Sequence, residues 1–104
     1  MRRILSTDAA VVAKVDALGK ITLGDDPGQP VGLARSTGEV YADEAGAGRV
    51  AAVDASGWVT DADYDRVGNI DASGLVRDRA GTIVGKVEEP VDGAVLLMIL
   101  SGRL

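Results

Sequence analysis

The chain contains no cysteine, no histidine and no phenylalanine, and its 104 residues include one tryptophan, two tyrosines and three prolines. Without cysteine there are no disulfides, thiol nucleophiles or thiolate metal ligands. Without histidine, the commonest general base at neutral pH and a principal zinc ligand are missing as well. Catalysis would have to rest on carboxylates, Lys, Tyr or Ser, and the chain is read as a non-enzyme without a cofactor. The shortage of aromatics also shapes the interior. With 46% hydrophobic residues, the core has to be filled by Val, Ala, Ile and Leu, whose small volumes suit a narrow space. A long basic run is lacking too. At a net charge of −5 nothing resembles a phosphate-tracking surface, so nucleic acid is not expected as a partner.

Apolar runs are short. Met1–Leu5 opens like a secretory signal, but Thr7 and Asp8 interrupt it, and Lys14 and Asp16 follow. Ala94–Leu100 is uniformly apolar but falls far short of the roughly 20 residues that span a bilayer as a helix. A cytoplasmic location is therefore expected, with no membrane role unless the chain continues past Leu104.

What is present is a repeat. Gly19, Gly38, Gly57 and Gly74 are spaced 19, 19 and 17 residues apart, and a degenerate first copy starts near Arg2. Units of that size cannot bury their own apolar faces and must pack against one another. The units align at four columns. The first holds Ile4, Ile21, Val40, Val59 and Val76; the second holds Val12, Val31, Val50, Val67 and Val84. The third is always small: Ala13, Gly32, Ala51, Gly68 and Gly85. The fourth holds Val15, Ala34, Val53, Ile70 and Val87.

The punctuation is as regular as the columns. Asp16–Gly19, Asp54–Gly57 and Asp71–Gly74 place Asp first and Gly fourth, the preference of a type I turn followed by a left-handed residue. Within units, turns fall at Asp26–Gly28, Glu44–Gly48, Asp61–Asp65 and Asp78–Gly81. Each unit therefore reads as a β-hairpin of two short strands. The expected fold is all-β: one domain over 1–104, with hairpin units at about 2–18, 19–37, 38–56, 57–73 and 74–90 around a central axis. The first and fourth columns face that axis, and the small third column lets strands converge. The repeated Val is expected to be buried between adjacent hairpins. An open stack would leave exposed edges, so a closed array is favoured. Segment 91–104 supplies its closing strand through Ala94–Leu100, beside Ile4–Ser6. The alternative for that tail is an oligomer interface or the start of an anchor.

The phrase Gly-x-Val-x-Asp-x-x-Gly-x-x-Val-Gly-x-Val, best seen in Gly74–Val87 and Gly57–Ile70, resembles the repeats of β-flower proteins. These are small bacterial domains whose β-hairpins radiate as petals around an axis. The resemblance covers about residues 2–90. It implies the architecture and brings no catalytic or binding residues with it. PRC-barrel domains share the Val-Gly-x-Val strand after an Asp-x-x-Gly turn, but that likeness does not account for five copies.

Few residues fall outside the repeat's building roles. Asp61, Asp63 and Asp65 alternate like the start of a calcium loop. However, Arg66 stands where that loop needs Gly and Ala72 where it needs a bidentate Glu, so no metal site is expected. Ser56 and Ser73 precede turn glycines with no base to activate them. The acid pairs Asp25-Asp26 and Glu88-Glu89 flank turns with Pro nearby and are not read as general acid–base pairs. Tyr41, Trp58 and Tyr64 are the candidate binding residues. They either pack across neighbouring hairpins as a secondary core or form a patch for a protein partner or a second copy. The expected role is a non-catalytic structural or interaction module, with small-molecule or calcium binding in inter-hairpin grooves or acidic turns as the alternative.

Overall fold

The structure, a computed structural model, describes residues 2–24, 28–43, 46 and 48–104. The Asp25-Asp26 pair, and parts of the turns expected at Asp26–Gly28 and Glu44–Gly48, lie outside the described residues. Ten strands run as five successive hairpins: β1 (Arg2–Ser6) with β2 (Val11–Val15), β3 (Lys20–Leu23) with β4 (Gly32–Ala34), β5 (Glu39–Tyr41) with β6 (Arg49–Val53), β7 (Trp58–Asp61) with β8 (Arg66–Ile70), and β9 (Leu75–Asp78) with β10 (Ile83–Lys86). Each strand pairs antiparallel with its sequence neighbours, and β10 pairs with β1 to close a barrel. Hairpins also bond to one another along β2–β3, β4–β5, β6–β7 and β8–β9, so the wall is continuous. Closure leaves no unpaired edge.

The turns follow from the recurring aspartates. In Asp16, Asp54, Asp61, Asp71 and Asp78, Oδ1 accepts the amides two and four residues on at 2.8–3.1 Å. The amide three residues on donates to the same aspartate's carbonyl, as in Gly19 to Asp16 at 3.0 Å. Gly19, Gly57, Gly74 and Gly81 then take left-handed φ values of 85–87°. The turns between hairpins form one rim of the barrel, and the turns within hairpins form the other.

Ile4, Ile21, Val40, Val59 and Val76 are each 0% exposed, so the first column points into the barrel as expected. The repeated Val has a different place from the one its recurrence suggests. Val12, Val50, Val67 and Val84 are each the skipped residue where the ladder shifts register. They are half-buried bulge residues packed against the core. A bulge increases local twist and bends the strand, which is how short strands coil tightly enough to close.

The expected closing strand is corrected by the structure. Ala94–Leu100 belongs to a helix, α1 (Pro90–Leu100), and β1 meets β10 without it. The helix contacts β1, β2, β4, β5, β6, β8, β9 and β10, so it occupies the barrel's axis. Val91–Met98 are all buried. A helix without a polar face belongs in such a place. The backbone decides which secondary structure can go there: a closed barrel offers the threading segment no free edge, so only a helix satisfies its own amides and carbonyls. Pro90 starts it with a pre-set φ and no amide to leave unpaired. At its end the Arg103 amide donates to Met98 and the Gly102 amide to Ile99, with Gly102 at φ 77°, the Schellman arrangement.

The small column makes room for this helix. A Cβ added to Gly68 would fall 2.7 Å from Leu97 Cδ1, and one on Gly85 would fall 2.5 Å from Leu96 Cδ2. On the helix side, a Cβ on Gly93 would fall 2.2 Å from Ile70 Cγ1. The neighbouring strands are closer still. The Cβ atoms on Gly68 and Gly85 would fall 2.2 Å from the Arg77 and Leu5 carbonyl oxygens, and one on Gly32 would fall 2.4 Å from that of Tyr41. The strands therefore converge on one another as well as on the helix. Wall and helix meet through Val, Ala, Gly, Leu, Ile and Met98, and no aromatic ring enters the interior.

Candidate functional site

An interior filled this way puts all three of the chain's aromatics on the outside, in one sector of the wall. Tyr41 lies on β5, its partner across β6 being Arg49. Trp58 opens β7, and Tyr64 sits in the β7–β8 turn. Tyr41 and Trp58 are half-buried, and Tyr64 is 74% exposed. Each ring carries a guanidinium. Arg35 lies 5.3 Å from the Tyr41 ring centre, Arg49 4.8 Å from Tyr64 and Arg66 4.4 Å from Trp58. The rings thus pack against arginines, and none contributes to the barrel core.

Tyr64 also departs from the repeat in its backbone. Its amide donates to the Asp61 carbonyl, the role that Gly81 plays for Asp78 in the next hairpin. Tyr64 stands at that position with φ 65°, a left-handed conformation that costs a residue with a side chain about 1–2 kcal/mol. Gly46 and Gly81 fill this position in two other hairpins, and Ala9, also at φ 65°, fills it in the first; here the chain supplies an exposed aromatic.

Polar groups fix the sector's edge. The Tyr41 hydroxyl donates to Glu39 Oε2 at 2.9 Å, and the Thr37 hydroxyl donates to Glu39 Oε1 at 3.0 Å. These two hydrogen bonds hold the Glu39 carboxyl below the usual carboxylate range, and donation to Glu39 raises the Tyr41 phenol. Beside them a groove of about 480 Å³ is lined by Arg2, Leu18, Leu33, Arg35, Glu39 and Tyr41 among others.

The other candidate residues are used by the fold. Asp61 Oδ1 accepts the Asp63 and Asp65 amides, and its Oδ2 accepts Arg103 Nη1 at 3.0 Å. The Arg103 hydrogen bond holds Asp61 below the usual carboxylate range. Asp63 and Asp65 are exposed. Among the described residues no three carboxylates converge as metal ligands would. The Ser73 hydroxyl donates to Asp71, Ser56 is exposed in its turn, and Glu88 accepts the Arg3 amide.

Sequence reading missed the arginines. Their signal was available in Trp58 and Arg66, which lie on paired strands of one hairpin. Arg49 over Tyr64 joins two hairpins and had no local sign. Arg2 and Asp92, which fasten the helix to the wall, were missed as well, because Asp92 reads as a surface acid until the helix is known to be enclosed.

The fold and this surface together define a ten-stranded meander barrel threaded by an apolar helix, with an arginine–aromatic face on β5–β8. No family model, curated protein or solved structure matches the chain.

Proposed function

We propose that this protein is a non-catalytic interaction module that binds a protein partner through the outer face of β5–β8. One observation carries the reading: every aromatic of the chain lies on that face and outside the core, although the fold is short of aromatics and Tyr64 has to take a left-handed conformation to stand in the β7–β8 turn. Trp, Tyr and Arg are the residues that dominate interface energies. Strain kept at an exposed aromatic points to a role beyond folding. Arginine stacking also holds the rings in fixed poses, which lowers the ordering cost of association.

The test is co-purification from the native host with the wild type and with Tyr41→Ala/Trp58→Ala. Each captured protein is then purified and titrated against both. Loss of a specific, reproducible partner in the variant supports the reading. Identical partners with unchanged affinity contradict it. A second reading, a small-molecule site, is favoured by the groove beside Tyr41. Shifts in Trp58 or tyrosine emission on adding small ligands alone would support it.

A further inference from the structure

Charge is divided unevenly over the β5–β8 sector. The outward charged side chains along these strands are Arg49, Arg66 and Glu39, and Arg35 folds over the wall from the β4–β5 turn. Glu39 accepts two hydroxyls and also interacts electrostatically with Arg35 and Arg49. Exposed carboxylates of the same sector sit at the rims: Asp54 at one end, Asp43, Asp63 and Asp65 at the other. The wall is thus a short positive field between two negative ends, on a chain of net charge −5.

Arg2, Arg77 and Arg103 are held by carboxylates, whereas Arg35, Arg49 and Arg66 are held by rings. A guanidinium lying on a ring is oriented by its face and keeps its N–H edge for a planar acceptor. Three such edges on one wall suit carboxylates. Resting on the interaction reading above, we infer that the partner presents a short acidic segment, Asp- or Glu-rich, to Arg35, Arg49 and Arg66.

One feature favours a protein segment over a nucleic acid. A guanidinium takes one face of each ring, which reduces the ring surface on which bases could stack, the way aromatic platforms hold single strands. The barrel also has no free edge to which a partner strand could add, so recognition falls to side chains.

The test uses fluorescein-labelled deca-glutamate, deca-lysine and deca-thymidylate, titrated with the intact protein and read by anisotropy and by Trp58 emission. Deca-glutamate is expected to bind and perturb Trp58. Its affinity should weaken as NaCl rises from about 50 to about 300 mM. Arg35→Gln/Arg49→Gln/Arg66→Gln should weaken it by about tenfold, while Arg35→Lys/Arg49→Lys/Arg66→Lys, which keeps the charge and loses the planar edge, should weaken it by less. Salt-dependent binding that survives in the Lys variant separates lost charge from lost fold. Failure of deca-glutamate to bind, or binding indifferent to the Gln variant, overturns the acidic-segment proposal. So does tighter binding of deca-thymidylate, which would make the ligand a nucleic acid. If the proposal fails in these ways while the aromatic variant still loses its captured partner, the interaction reading stands and only its acidic chemistry is wrong.

Discussion

Arg2 and Asp92, ninety residues apart in sequence, form a two-pronged ion pair, with Nε 2.8 Å from Oδ2 and Nη2 3.1 Å from Oδ1. The pair fastens the start of the enclosed helix to the start of the wall. At the other rim Arg103, just past the helix, grips Asp61 at the end of β7. The helix is therefore tied at both ends by charge and held between them by apolar packing. The two members of the first pair differ in exposure: the Arg2 side chain is 29% accessible and that of Asp92 is 0%.

That asymmetry sets an order for two substitutions. Arg2→Gln leaves a buried carboxylate without its cation and should cost about 3–5 kcal/mol. Asp92→Asn leaves an arginine that can turn to water, and should cost less, about 1–2 kcal/mol. Urea unfolding at neutral pH measures both. The pH dependence gives a second check. Burial, outweighing Arg2, holds the Asp92 carboxyl above its ordinary value. A carboxyl that binds its proton more tightly when folded contributes stability that is complete at low pH and is lost as pH rises through its folded value. Removing Arg2 pushes that value higher still. The deficit of Arg2→Gln should therefore shrink as pH falls from about 8 to about 5, and a deficit that widens would contradict the pairing.

The helix and wall meet without spare volume. Gly93→Ala places a methyl 2.2 Å from Ile70 Cγ1 and should destabilise by about 1–3 kcal/mol. The double variant with Ile70→Ala, which removes both offending atoms, Cγ1 and Cδ1, should cost less than the sum of the two single changes. Gly28→Ala serves as a control, since nothing lies within 4 Å of an added Cβ there, and should stay within about 0.5 kcal/mol of wild type. Thermal unfolding compares all of them. A neutral Gly93→Ala would mean that the helix is not enclosed.

Much of this architecture could be read from the sequence, and the exceptions have physical reasons. The Asp and Gly spacing placed the hairpin turns because each Asp carboxylate caps amides two and four residues on, a strictly local event. The alternation of Ile4, Ile21, Val40, Val59 and Val76 placed the inner face for the same kind of reason. Ala94–Leu100 was misread because a short run of uniformly apolar residues has no period with which to separate a buried strand from a buried helix. What separates them is the closure of β1 on β10, a contact between the chain's two ends. The small column was read as the place where strands crowd one another, and the backbone carbonyls beside Gly32, Gly68 and Gly85 bear that out. Its second role, making room for the helix, was missed because the helix had been taken for a strand. At the candidate site the sequence pointed to Tyr41, Trp58 and Tyr64 because they do not repeat. Their arginines lay hidden in long-range geometry.

Tyr64 separates fold from function within one residue. Tyr64→Gly removes a left-handed strain of about 1–2 kcal/mol along with a cation–π contact of about 0.5–1 kcal/mol. Its Tm should equal or slightly exceed that of the wild type, while Tyr64→Ala, which keeps the strain and loses the ring, should melt below it. Partner affinity should fall in both. A Tyr64→Gly protein that melts well below wild type would show that the ring serves the fold.

The most direct test of the β5–β8 face is site-specific photocrosslinking in the native host. A photoreactive phenylalanine analogue replaces Trp58 or Tyr64 on the arginine–aromatic face, or Leu75 or Leu5 on the outer wall elsewhere. The expected result is a discrete, reproducible adduct from positions 58 and 64 and none from 75 and 5. Adducts of equal yield from all four positions, or from 75 and 5 alone, would contradict the assignment of the interaction surface.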